Sequence, residues 1–186
     1  LQVFKNCRER VRTMGLVHEE LYRSRSLSSI DFKEYINRLI SHLLDSYSLN
    51  PGQVQLKMEI EEAFFDIGTT IPLGLILNEL ITNSLKHAFP DNKEGELYIY
   101  LGKSKDDKFD QTLVVGDTGV GLSKEIDFRK NNSFGMLLVN TLVKQLRGVI
   151  SCETETGTRF TVNFKHLLPK SRAPAKTGNI RRIKND

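Results

Sequence analysis

Ile76-Leu77-Asn78-Glu79-Leu80-Ile81-Thr82-Asn83-Ser84-Leu85-Lys86-His87-Ala88-Phe89 carries the spacing of a two-faced helix. At 100° per residue, Glu79, Asn83, Lys86 and His87 fall in one narrow sector. Leu77, Leu80, Ile81, Ser84, Leu85 and Ala88 occupy the opposite, core-facing sector. Further on, an apolar strand runs into Gly116-Asp117-Thr118-Gly119-Val120-Gly121. A carboxylate, an amide and a cation facing one way suit a metal-bound polyphosphate. An aspartate among glycines suits a ligand that donates N–H groups and must come close to the backbone. The two together predict an ATP site.

The chemistry assigns provisional roles. Mg²⁺ takes hard oxygen ligands and binds through one or two protein groups plus phosphates. The side-chain carbonyl of Asn83 can supply one ligand without adding negative charge beside a triphosphate. Glu79, one turn earlier, can hold a metal-bound water or act as a base. Lys86 can neutralise phosphate oxygens, and His87 can lie against a base or sugar. Asp117 can accept from the exocyclic amine of adenine, with Gly119 and Gly121 turning the chain and exposing backbone N–H groups. Ser133-Phe134-Gly135-Met136 precedes another helix, whose first turn would point N–H donors at phosphate. Neither G-x-x-x-x-G-K-[ST] nor G-x-G-x-x-G occurs, which excludes P-loop and Rossmann sites.

Outward from this centre the elements follow in order. Residues 1–22 repeat apolar side chains close to a heptad, with Phe4, Val11 and His18 in one row and Cys7, Met14 and Leu21 in the other. That stripe is a seam for packing against other helices. Arg23 to Ser29 reads as a connector. Asp31 and Glu34 form a capping box for a helix that carries Phe32, Tyr35, Ile36, Leu39, Ile40, Leu43, Leu44 and Tyr47. Gln53 to Ile60 reads as a strand with Val54, Leu56, Met58 and Ile60 inward. Thr69, Thr70 and Pro72 open the next helix, and Pro90 stops it. Glu96–Leu101 and Thr112–Val115 are strands around a charged hairpin loop, and Thr118–Ser133 is a mobile loop. Met136–Leu146 is a helix ended by Gly148, and Val149–Glu153 and Thr158–Phe164 close as a hairpin. The order predicts an α+β fold, a two-layer sandwich with helices on one face of a mixed sheet.

Composition narrows the class. The chain has 186 residues and a net charge of +4. From Lys170 onward six basic residues face Asp186 alone, so residues 1–169 sit near −1. A nucleic-acid surface is therefore not expected, and the tail reads as a solvated extension. No apolar run approaches the roughly 20 residues that span a bilayer, and no signal-peptide pattern opens the chain, so no membrane contact and a cytoplasmic location are expected. Cys7 and Cys152 lack C-x-x-C spacing and read as reduced, buried small hydrophobes.

Residues from about Pro51 to Phe164 resemble the Bergerat-type ATP-binding domain shared by sensor histidine kinases, DNA gyrase, a heat-shock chaperone and mismatch-repair ATPases. Glu79 to Asn83 matches the family's N box, and Asp117-x-Gly119-x-Gly121 its first glycine box. Gly135, single where many relatives have two or three glycines, matches the second box, and Gly157-Thr158 the last. The resemblance implies ATP and Mg²⁺ as cofactors. It places Asn83 on magnesium, Glu79 near it through water, Lys86 near the phosphates and Asp117 on the adenine amine. Gly119, Gly121, Gly135, Met136, Thr158 and His87 line the nucleotide, and the loop between Asp117 and Gly135 is the ATP lid.

Arg10-Val11-Arg12-Thr13-Met14-Gly15-Leu16-Val17-His18-Glu19-Glu20-Leu21-Tyr22, with Ile30-Asp31-Phe32-Lys33-Glu34-Tyr35, is similar to one histidine-kinase subfamily. That subfamily carries its acceptor in an H-R-x-K-N-N-L run on the first helix of a dimerisation hairpin, and the run is absent here. The resemblance implies residues 1–28 as a remnant of the hairpin's second helix, 29–168 as the catalytic ATP-binding domain and 169–186 as a basic tail. His18 then packs on the seam, and the acceptor lies upstream. The implied function is transfer of the γ-phosphoryl of ATP to a histidine, for relay to a response regulator, by a parent protein that dimerises through its helical segment. The fragment alone is not expected to label itself. An ATP-operated clamp hydrolysing ATP with Glu79 as base, a nucleotide-sensing module and a serine kinase of the same superfamily are the alternatives.

Overall fold

The computed structural model describes residues 29–47, 52–122 and 133–165, together with residues 8, 10–13, 15, 16 and 19 of an N-terminal helical segment. Asp31 Oδ1 accepts from Glu34 N at 3.1 Å and starts α1 (Phe32–Tyr47). Its period-3.6 stripe, Phe32, Tyr35, Ile36, Leu39, Ile40 and Leu43, is buried. Two short strands, β1 (Ile30–Asp31) and β3 (Phe64–Phe65), pair antiparallel beside it. They set Phe65 edge-on to Phe32, with ring centroids 5.1 Å apart. Strands of two residues carry no periodicity, so this ladder leaves no trace in the sequence pattern.

The long central helix, α2 (Ile67–His87), begins earlier than Thr69, because Asp66 caps it by accepting from Thr69 N at 2.8 Å. Pro72 lies inside the helix and does not open it. Apolar residues surround α2 on most sides because it is buried almost all round, between α1, a third helix and the sheet. It ends at Ala88, before Pro90 starts a 3₁₀ turn (Pro90–Asn92).

A mixed five-stranded sheet lies beneath, in the order β2-β4-β5-β7-β6. Its strands are β2 (Val54–Ile60), β4 (Gly95–Lys103), β5 (Gln111–Asp117), β6 (Val149–Glu153) and β7 (Thr158–Phe164). Only β2 and β4 run parallel, joined across β3 and α2. Leu97, Ile99, Leu101, Leu113, Val115, Phe160, Val162 and Phe164 alternate inward and are buried against the helices. The two-layer α+β expectation holds.

Two local expectations are corrected, and a third is partly visible. Met58 is 37% exposed because β2 is an edge strand, where the helical layer covers inward positions only in part. Val11 is 69% exposed while Thr13 and Leu16 are buried, so the described residue of the expected seam is left uncovered in the single chain. Phe4, Cys7, Met14, His18 and Leu21 lie outside the described residues. The last helix, α3 (Phe134–Gln145), is closed by Arg147 at φ 51°, with Gly148 N donating to Val143 O at 2.9 Å. Gly148 is needed for another reason: a Cβ there would meet Asn163 O at 2.5 Å. Most of the expected lid, residues 123–132, and the tail from His166 also lie outside the described residues.

Candidate functional site

The C-terminal half of α2 lies against the ends of β5 and β7 and the start of α3, and this brings the candidate residues together. Asp117, the last residue of β5, is 3% exposed. Its Oδ2 accepts from Ser84 Oγ at 2.7 Å. Its Oδ1 accepts from Gly119 N at 3.0 Å and Thr158 N at 3.3 Å. A carboxylate offers about four acceptor sites, so this triple grip fixes the group and leaves room for one further donor. Asp117 and Thr158 face each other in the β5–β7 register, which is why Thr158 reaches it.

The glycines earn their places in different ways. Gly119 is closed on the backbone of Ala88, where a Cβ would collide, and Val120 N donates to Ala88 O at 2.9 Å. The loop after β5 is thereby pinned to the end of α2. Gly121 at φ 74° and Gly157 at φ 92° hold conformations that L side chains rarely adopt.

On the neighbouring face of α2, Asn83 is half-buried and its Nδ2 points at Met136 Sδ, 3.9 Å away. In this amide orientation the carbonyl end is left for an oxygen-seeking cation, a fit to Mg²⁺. Glu79, one turn earlier, is only 5% exposed. Arg10 grips it through both nitrogens, Nε to Oε1 at 2.6 Å and Nη2 to Oε2 at 2.8 Å. Asn78 Nδ2 adds a third donor to Oε1 at 3.2 Å. Gly135 lies against the same carboxylate, since a Cβ there would meet Glu79 Oε2 at 2.6 Å. Ser133 Oγ caps α3 by accepting from Met136 N at 3.3 Å, so the first turn of α3 faces the N box.

Lys86 and His87 stand apart from this cluster. Lys86 Nζ lies 5.8 Å above the ring of Tyr47 on α1, and His87 is exposed at the end of α2. A groove of about 660 Å³, bordered by Glu96, Tyr98, Glu153 and Arg159, opens beside this cluster and reaches Thr118, Gly157 and Thr158. Asp117, Asn83 and Glu79 do not line it.

Residues 68–168 match the histidine kinase-, DNA gyrase B-, and HSP90-like ATPase family. The chain belongs to that family. The family implies ATP binding, and residues 1–47 match a second family described as histidine kinase. Blue-light-activated histidine kinase 2 of Erythrobacter litoralis is 23% identical over 165 residues, covering 87% of this chain and 46% of its own length. Sensor histidine kinase PdtaS of Mycobacterium tuberculosis is 28% identical over 135 residues, 72% of this chain and 26% of its own. The chain thus spans less than half the length of these curated relatives. The solved histidine kinase domain of a blue-light-activated kinase from Erythrobacter litoralis shares the fold with a TM-score of 0.78 at 20% identity, over 87% of this chain and 75% of that one. Acinetobacter baumannii histidine kinase AdeS gives 0.59 at 20% identity, over 89% and 80%.

Three residues of the cluster were not flagged as functional by their pattern. Ser84 counted as core-facing, yet a buried hydroxyl on an apolar sector needs a partner, and that need is the signal that points to it. Asn78 carries the same kind of signal. Arg10 carries none, because its partner is 69 positions away.

Proposed function

We propose that the chain is the catalytic ATP-binding part of a sensor histidine kinase, with residues 29–168 as the ATP-binding domain and residues 1–28 from the dimerisation region. The observation that carries this reading is that α2 brings its own Asn83 together with Asp117 from the end of β5. Asp117 is held there by Ser84, and Asn83 faces the start of α3.

In this reading Asp117 receives the adenine amine, and Asn83 holds Mg²⁺, which when bound neutralises phosphate charge. An imidazole nitrogen of the acceptor histidine attacks Pγ, and the bond from Pγ to the β–γ bridging oxygen breaks. ADP leaves with that bond's electron pair, and Glu79 takes the imidazole N–H proton. Little else is asked of the protein, since phosphoryl transfer is catalysed mainly by positioning and charge neutralisation. The match of residues 1–47 to a histidine kinase family supports histidine over water as acceptor. A response regulator's aspartate is the expected next acceptor.

Calorimetry tests the reading. MgATP should bind at one site, and both chelation of Mg²⁺ and Asn83→Ala should weaken binding by more than about tenfold, or 1.4 kcal/mol. With labelled ATP alone the chain should stay unlabelled, because it contains no H-R-x-K-N-N-L run. Nucleotide binding indifferent to both Mg²⁺ and Asn83 would reject the metal role, and efficient self-labelling would reject the assignment of the acceptor.

A further inference from the structure

Glu79 is the carboxylate to which the proposed function gives the acceptor's proton, and three of its roughly four acceptor positions are already taken. Arg10, from the N-terminal helical segment, makes a bidentate pair with it, with side-chain exposures of 14% for Arg10 Nε's residue and 7% for Glu79. A pair so shielded is weakly screened by salt. The guanidinium also lies over Phe134, 4.7 Å from the ring centroid, at the first residue of α3. Gly135 leaves the space that lets Glu79 Oε2 reach the guanidinium. Arg10 therefore ties three elements together at the point where phosphoryl transfer must occur: the N-terminal segment, the N box and the start of α3.

A planar, cationic N–H donor is what such a carboxylate slot selects. A histidine that gives up its N–H proton has the same character as it becomes positive. We propose that Arg10 is an internal competitor for the acceptor's place: while it sits on Glu79, the imidazole is shut out, and transfer requires the Arg10–Glu79 pair to open. Asn78 belongs to α2 itself and stays with Glu79 when Arg10 departs, keeping the carboxylate aimed. Movement of the N-terminal segment against α2 then sets whether the base is masked or available. This inference rests on Glu79 acting as the base.

The experiment uses the full chain with MgATP, and imidazole as a stand-in acceptor, with ADP release as the readout. Arg10→Ala and the milder Arg10→Gln should bind MgATP within about threefold of wild type, well under the 1.4 kcal/mol of a tenfold change. Both should release ADP at least about tenfold faster in imidazole, and Arg10→Lys should fall between them and wild type, because an ammonium keeps the charge but loses the planar two-point grip. Glu79→Gln should abolish the gain in either background. Hydrogen exchange over residues 10–16 should rise in Arg10→Gln and in Glu79→Gln, reporting the opened pair. If the Arg10 variants bind MgATP normally and release ADP no faster than wild type, the competitor role is overturned. A gain that survives Glu79→Gln overturns it as well. Failure of wild type to bind MgATP would instead strike the nucleotide reading itself, a separate outcome.

Discussion

Ser84 Oγ donates to Asp117 Oδ2 at 2.7 Å, joining the last turn of the candidate site's helix to the tip of its central strand. Both groups are buried, so the bond is made in a low-dielectric setting where hydrogen bonds to charged groups count for more.

Ser84→Ala should accordingly cost about 1.5–3 kcal/mol of folding stability in urea unfolding, because it leaves a buried carboxylate oxygen without its donor. It should also weaken ATP binding, by letting Asp117 drift from its fixed orientation. Unchanged stability together with unchanged affinity would deny the bond any role.

Tyr35 presents the opposite case. Its hydroxyl is buried against Gly74 and has no hydrogen-bond partner among the described residues. Tyr35→Phe should leave stability unchanged or raise it by up to about 1 kcal/mol, since nothing is orphaned by the change. Burial raises the phenol's pKa above its ordinary 10.0. The folded chain keeps that proton where the unfolded chain releases it, so wild type should lose stability as pH climbs beyond 10, relative to the Phe variant. Parallel pH profiles for the two proteins would show the phenol to be hydrated after all.

Cys152 is half-buried on β6, and its thiol is pushed up to about 11, first by burial and then by the charges of Asp117 and Glu153. The thiolate is the reactive form, so iodoacetamide at neutral pH should modify this site on the order of a hundredfold more slowly than an unperturbed thiol. Mass spectrometry of a Cys7→Ser chain, folded and in urea, isolates Cys152. Equal rates in the two states would contradict its shielding.

Much of this site is written into local pattern. Glu79, Asn83 and Asp117 are readable because each belongs to a short run in which spacing and residue type reinforce each other, and the hairpin of β6 and β7 follows from alternation around Gly157. What escaped the pattern depends on contacts distant in sequence. The edge position of β2 decides that Met58 is exposed, and no residue of β2 announces which strand will be its neighbour. The capping of α2 by Asp66 is hidden in the sequence because the Thr-rich first turn resembles a helix start. Gly148 looks in sequence like the residue that ends α3, yet Arg147 takes the left-handed position, since a glycine required for close packing looks the same in sequence as one required for φ. Arg10 is one arginine among several until the fold sets it on Glu79.

The pocket's central claim is that Asp117 reads the adenine amine. Isothermal titration of wild type and Asp117→Asn with ATP and with inosine triphosphate, each with Mg²⁺, tests it directly, because the inosine base has a carbonyl where adenine has its amine. The amide of the variant can still accept from Gly119 and Thr158 through its oxygen while donating to Ser84, so the fold should persist. Wild type should prefer ATP by about tenfold or more, and Asp117→Asn should lose that preference through weaker ATP binding. Equal affinities of wild type for the two nucleotides, or an undiminished preference for ATP in the variant, would contradict the account.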